Sequence, residues 1–287
     1  MPTSVNSELA NYLQPRQLET ALLDWQATTP FAENFDDVYF SRDQGIAESN
    51  YVFLQQNNLP ERWLAWSQNR AFVMAETGFG TGLNLLVAMA SFLKTAPAKA
   101  RLHWISTELY PLTPDDLKRA HAFWPKLAEF AQLVQENYPL PISGFHRLNL
   151  HPRISMDLLL GDAASNLSAL TGKVDAWCLD GFAPSKNPSM WTEQLFTALA
   201  KASHANTTFA TFTSAGVVRR GLQAVGFNVN KVAGFGRKRE MLSGVFNPAV
   251  TDENPLPSTS STINQAQPIA IIGAGLLVSR CFFLPLL

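Results

Sequence analysis

Three glycines at alternate positions follow a carboxylate in Glu76-Thr77-Gly78-Phe79-Gly80-Thr81-Gly82. Glycine lets a backbone bend sharply and approach a ligand with no Cβ in the way. The acidic residue stands ahead of the glycines, where it would repel a phosphate. A carboxylate there suits the cationic end of S-adenosylmethionine. The E-x-G-x-G-x-G pattern therefore points to a methyl donor, where G-x-G-x-x-G would point to a dinucleotide.

A second stretch, Leu179-Asp180-Gly181-Phe182-Ala183-Pro184-Ser185-Lys186-Asn187-Pro188, joins an acidic residue to a small residue, an aromatic and a proline. Loops of similar composition, D/N-P-P-Y/F, occur in enzymes that methylate amino groups. An alkylamine is mostly protonated near neutral pH, by analogy with lysine at about 10.4. Asp180 can hold such an ammonium, orient it and accept a proton, which frees the lone pair that in-line methyl transfer needs. Phe182 can pack against the cationic amine or the sulfonium. Most of the acceleration would come from positioning the two reactants. The alternative is a strand-to-helix turn in which Asp180 only caps and Phe182 and Pro184 only pack.

These groups need a frame to hold them. The apolar run over 71–75 before the glycines and the helical pattern over 83–89 after them read as strand, turn, helix. Further strand candidates cover 102–108, 154–160, 174–180, 207–212, 227–232 and 241–246. Helix candidates cover 83–93, 114–138 with a break at Pro125, 163–170, 191–203 and 215–224. Strands alternating with helices predict a Rossmann-like α/β fold, a mostly parallel seven-stranded sheet with helices on both faces. In such sheets ligands bind beyond the carboxyl ends of the strands, near the switch in strand order. Glu76, Glu108 and Asp180 end strand candidates, and Asp162 follows one by two residues. Four carboxylates are thus expected along one crevice. Asp162 taken alone reads equally well as a helix N-cap.

Bulk properties bound the function. With 46% hydrophobic and 16% charged residues, the 287-residue chain is expected to fold around a core. Cys178 and Cys281 lie far apart, and His103, His121, His146, His151 and His204 show no ligand spacing, so neither a disulfide framework nor a metal site is expected. The N-terminus lacks a basic region followed by an apolar stretch, and a cytoplasmic protein is expected. Net charge is −1, yet residues 217–241 carry Arg219, Arg220, Lys231, Arg237, Lys238 and Arg239 against Glu240 alone. A local basic surface can attract a polyanion when the total charge is near zero. An ordinary solvated face is the other reading.

Composition also marks boundaries. An extension over 1–33 is weakly patterned, and the candidate catalytic domain covers 34–246. Residues 247–268, rich in Pro, Ser, Thr, Asn and Gln, read as a linker. Ile269-Ala270-Ile271-Ile272-Gly273-Ala274-Gly275 then looks like the opening strand and turn of a second nucleotide-binding unit over 269–287. Val278 stands where that pattern needs Gly or Ala, and the chain ends too soon for a βαβ unit. A membrane anchor over 268–287 is the rival reading. Arg280 inside the run and Pro268 and Pro285 at its edges oppose it, so no membrane partner is expected.

Four segments carry a resemblance: Phe35-Asp36-Asp37-Val38-Tyr39-Phe40-Ser41, the stretch from Glu76 through Asn84, the stretch from Asp175 through Pro188, and Gly234-Phe235-Gly236-Arg237-Lys238-Arg239-Glu240-Met241-Leu242. Residues 211–216 and 218–222 add to it. Together they resemble the methyltransferase half of the bifunctional tRNA 5-methylaminomethyl-2-thiouridine biosynthesis family. The resemblance implies a class I methyltransferase that uses S-adenosylmethionine to methylate the 5-aminomethyl group of a wobble uridine in the tRNA anticodon. It implies that Glu76, Gly78, Gly80 and Gly82 form the turn on the methionine side of the donor. Glu108 would accept the ribose hydroxyls, Asp162 would sit near the adenine amino group, and Asp180 with Phe182 would act on the substrate amine. Arg219, Arg220, Arg237, Lys238 and Arg239 would meet tRNA phosphates. The full-length family also carries an FAD-dependent oxidoreductase. Here that domain stops at its opening turn, so the oxidoreductase step and FAD are expected to be absent from the chain. His204-Ala205-Asn206 departs from the Pro-Gly-Gly often found before the fifth strand of the sheet. Methylation of a small polyamine-like substrate and a non-catalytic RNA-binding scaffold remain as alternatives.

Overall fold

A computed structural model describes residues 16–25, 30–40 and 44–248. Near the N-terminus, β1 (Leu23–Asp24), β2 (Phe31–Ala32) and β3 (Asp37–Val38) form a small antiparallel sheet. The main sheet contains β4 (Phe72–Glu76), β5 (Leu102–Glu108), β6 (Gly144–His151), β7 (Ile154–Leu160), β8 (Val174–Cys178), β9 (Ser203–Thr211), β10 (Phe227–Ala233) and β11 (Glu240–Phe246). Its order is β10-β11-β9-β8-β4-β5-β7-β6. The central strands β9, β8, β4, β5 and β7 pair in parallel, and the pairings β9–β11, β11–β10 and β7–β6 at the two ends are antiparallel.

Period-two alternation along the strands divides the core between the two faces. Met74, Trp104, Met156 and Leu158 point to one face, where they are buried with Leu86, Met89 and Phe92 of the Leu83–Thr95 helix. Ala75, Ile105, Leu159, Trp177 and Phe209 point to the other, against Leu195 and Leu199 of the Glu193–Lys201 helix and Leu222 of the Gly216–Ala224 helix. The central strands are apolar on both sides because helices cover both, as a parallel sheet requires.

The seven strands read from the sequence are all present, and the sheet holds an eighth, β6. Its outward residues Phe145, Arg147 and Asn149 are exposed, and only Leu148 and Leu150 are buried on the inward side. Half an apolar face is a weak signal in sequence, but antiparallel pairing with β7 suffices to hold such an edge strand. The break at Pro125 separates the Pro114–His121 helix from the Ala128–Asn137 helix through a short 3₁₀ turn. Residues 45–64, for which the sequence reading proposed no element, form a broken run of helical turns that buries Val52, Phe53, Leu54, Leu59 and Trp63. The chain divides into two compact units, Met1–Ala249 and Val250–Leu287. The second unit lies outside the described residues, and with it Cys281, most of the expected linker and the 269–287 turn. Among the described residues no helix is long and apolar enough to cross a membrane.

Candidate active site

The chain runs from β4 to β5 on one side and returns later to place β8 on the other, so the strand order switches at β4. A cleft of about 910 Å³ opens beyond the carboxyl ends of these strands, where this class of sheet binds ligands. Its floor is two loops stapled together. The Thr77 hydroxyl donates to the Asp180 carbonyl at 2.6 Å, and a Cβ on Gly78 would meet that same oxygen at 3.4 Å. Gly80 adopts φ +51° and Gly82 φ +74°, the left-handed region that favours glycine. Gly78 and Gly80 face the cleft. Gly82 does not; a Cβ there would strike the Phe79 ring at 2.7 Å, so it serves the turn by letting Phe79 fold back.

Three of the four expected carboxylates reach the cleft: Glu108, Asp162 and Asp180. The Glu108 carboxylate accepts from the backbone N–H of Gly80 at 2.8 Å and of Tyr110 at 2.9 Å, which locks the second strand end to the glycine turn. Asp162 caps the Ala163–Ser168 helix by accepting from the Ser165 N–H, and it also lines the cleft. Asp180 accepts from the Asn84 amide at 2.6 Å and from the Gly181 N–H at 2.9 Å. Burial raises its carboxyl above the usual carboxylate range, and these two hydrogen bonds pull against the rise.

Glu76 corrects the sequence reading. It is wholly enclosed and lies beneath the cleft rather than along it. As the last residue of β4 it stands opposite Ser106 of β5, so its carboxylate meets its neighbours in the sheet. It accepts from the Ser106 hydroxyl at 2.7 Å, the Trp104 indole at 3.0 Å and the Asn84 amide at 3.3 Å. Burial nevertheless pushes its pKa from an ordinary 4.5 up to about 8. The folded protein therefore retains, across that interval, a proton that the unfolded chain releases. The associated stability is full below the interval and is lost as pH rises through it. Between about pH 5 and about pH 8, thermal unfolding is expected to show the wild type losing ground to Glu76→Gln as pH rises. Parallel curves would contradict a buried proton on Glu76.

Beyond Phe182, the sequence assigns no role to the aromatic wall. Phe35, Tyr39, Tyr110 and Phe182 all line the cleft. Phe35 stacks on Phe182 with ring centroids 4.4 Å apart, and Tyr39 meets Phe182 edge-on at 5.2 Å. Asp36, in a left-handed turn, pairs with Lys186, which ties the N-terminal segment to the Asp180 loop. The available signal was the density of aromatic and acidic residues over 35–40. The basic residues separate into two groups. Arg237 and Lys238 line the cleft from the turn between β10 and β11, with exposed Arg239 beside them. Lys238 is engaged with Glu48 at 3.2 Å and stands 4.3 Å from the Phe212 ring centroid. Arg219 and Arg220 lie on the Gly216–Ala224 helix and do not border the cleft. Among the described residues no group of three or more His, Cys, Asp or Glu is placed to hold a metal ion.

A mostly parallel sheet, a glycine turn closing onto its central switch point and carboxylates at successive strand ends define an S-adenosylmethionine-dependent methyltransferase. The family model described as S-adenosyl-L-methionine-dependent methyltransferase matches residues 125–247. A solved structure, that of MNMC2 from Aquifex aeolicus, is similar with a TM-score of 0.60 and 25% identity, over 84% of this chain and 73% of that one. Among curated proteins, the tRNA 5-methylaminomethyl-2-thiouridine biosynthesis bifunctional protein MnmC of Chromohalobacter salexigens is 51% identical over 88% of this chain. The protein of the same name from Aeromonas hydrophila is 49% identical over 90% of it. The chain is similar to one portion of these bifunctional relatives. It spans 37% and 40% of the length of those two relatives.

Proposed function

We propose that the chain transfers a methyl group from S-adenosylmethionine to the primary amine of a 5-aminomethyl wobble uridine in a tRNA anticodon. The observation that carries the reading is Asp180, a carboxylate at the switch point, facing the cleft and seated against the glycine turn. The cleft suits the donor: Gly78 and Gly80 offer bare backbone, and Glu108 and Asp162 offer acceptors on the next strand ends. Glu108 is assigned to the ribose hydroxyls and Asp162 to the adenine amino group. Glu76, being enclosed, supports the turn from below. Bound there, the donor supplies an electrophilic methyl.

The substrate amine arrives as an ammonium, and Asp180 accepts its hydrogen bond and then its proton. A carboxylate whose pKa is raised by burial is a stronger base than an exposed one, which narrows the gap to the amine. Phe182, backed by Phe35, presents a ring face to the cation. The aromatic wall excludes water from the side where the lone pair must point. Arg237 and Arg239 at the rim, with Arg219 and Arg220 further out, are assigned to tRNA phosphates. Lys238 keeps its acidic partner and contributes positive charge within the cleft. The aminomethyl group is taken as the substrate.

If the rim binds phosphates, tRNA affinity should fall steeply with salt, and Arg237→Ala with Arg239→Ala should reduce the log–log slope by about 2. A salt-independent affinity would contradict the assignment. The function itself is tested by offering S-adenosylmethionine with tRNA bearing 5-aminomethyluridine in one reaction and a polyamine in another. Nucleoside analysis should reveal 5-methylaminomethyluridine in the first. Methylation of the polyamine alone would favour a small-molecule amine methyltransferase, and tRNA binding without donor binding would favour a scaffold.

A further inference from the structure

Asn84 belongs to the first turn of the Leu83–Thr95 helix and is buried, and every polar atom of its amide is engaged. Its Oδ1 accepts from the Ser49 hydroxyl at 2.7 Å. Its Nδ2 donates to Glu76 at 3.3 Å and to Asp180 at 2.6 Å. A carboxamide has two N–H donors and one carbonyl, so this arrangement uses the group in a single orientation. The serine that fixes the orientation lies on the Gly45–Ser49 helix, and Glu76 lies at the end of β4. Two separate elements thus aim one amide at the carboxylate of a third.

We propose that Asn84 is a positioning residue for methyl transfer: held by Ser49 and Glu76, its amide sets the Asp180 carboxylate in place for the substrate amine. The inference rests on the assignment of Asp180 as proton acceptor. Asp180 Oδ2 takes the Asn84 N–H and Oδ1 takes the Gly181 N–H, so each oxygen keeps a lone pair for the ammonium. A carboxylate left to rotate would spread those lone pairs over many directions and lose the advantage of a fixed geometry. The other charged or titratable groups around Asp180 are Glu76 and Cys178 below it and Glu48 and Lys238 across the cleft.

The test follows Asp180 directly. Protein labelled at the aspartate carboxyl carbon is titrated by NMR, with the signal assigned through Asp180→Asn. Asn84→Leu removes the donor, and Ser49→Ala keeps the amide but frees its orientation. A hydrogen bond to a carboxylate favours the charged form, so its loss raises the pKa. Asn84→Leu should move the Asp180 titration up by about one unit and Ser49→Ala by less. The acid limb of the methyl-transfer profile should move with it, and rates at neutral pH should fall about tenfold or more. An Asp180 titration that stays in place in both variants overturns the inference, even if activity falls, because a purely structural loss lowers rates equally at every pH. Because the titration needs no RNA, it stands apart from the function assignment, which fails only if wild-type protein leaves the aminomethyl tRNA unmethylated. Should Asn84→Leu not fold, Ser49→Ala decides the matter alone.

Discussion

Asp180→Ala is expected to cut methyl transfer by about 10²- to 10⁴-fold, the usual range for removing a positioned general base. Donor affinity should remain near that of the wild type. Those two results together are the signature of a residue that acts on the substrate amine. The carboxylate faces the cleft, its two hydrogen bonds come from Asn84 and Gly181, and the donor-side turn touches the Asp180 backbone carbonyl instead of its side chain. Asp180→Asn separates shape from charge. It keeps the volume and loses the base, so it should be nearly as slow as alanine. Rates are measured at saturating donor and substrate, and donor binding by calorimetry. A collapse of donor affinity in either variant would move Asp180 into the donor pocket and remove its role as base.

The second large effect is expected at Glu108. Its carboxylate faces the cleft while its two oxygens accept from Gly80 and Tyr110, so the proposed ribose acceptor is also a tie across the turn. Hydrogen bonds to a charged group are worth about 1.5–3 kcal/mol each, so losing the ribose hydroxyls in Glu108→Ala should weaken donor binding at least tenfold. Glu108→Gln should recover part of the loss, since an amide oxygen still accepts. The turnover of donor-saturated enzyme should change far less than affinity does. Unchanged donor affinity in Glu108→Ala would place the ribose elsewhere.

Residues whose roles follow from chain order were the legible ones. The glycine turn and Asp180 sit at strand ends, and alternation of strands with helices is enough to place strand ends in one crevice. Glu76 is legible as a carboxylate at a strand end, but its direction is not. Only the register that sets it opposite Ser106 reveals that it points into the sheet. Asn84 carried no signal of its own, because its meaning depends on Ser49, Glu76 and Asp180, which lie 35, 8 and 96 residues away. Phe35 and Tyr39 were visible as a cluster, yet their place in the wall depends on a short sheet whose strands are two residues each. The edge strand β6 is hidden for a related reason: an exposed outer face and two buried leucines look like loop until β7 is beside them.

A cleft built around Asp180 is expected to methylate a primary amine on tRNA. Transfer of labelled methyl from S-adenosylmethionine is measured with two tRNAs in parallel, one carrying 5-aminomethyluridine and the other 5-carboxymethylaminomethyluridine. Label on the first alone, at the amino nitrogen, is the predicted result. Label on neither, from protein that binds the donor by calorimetry, would contradict it.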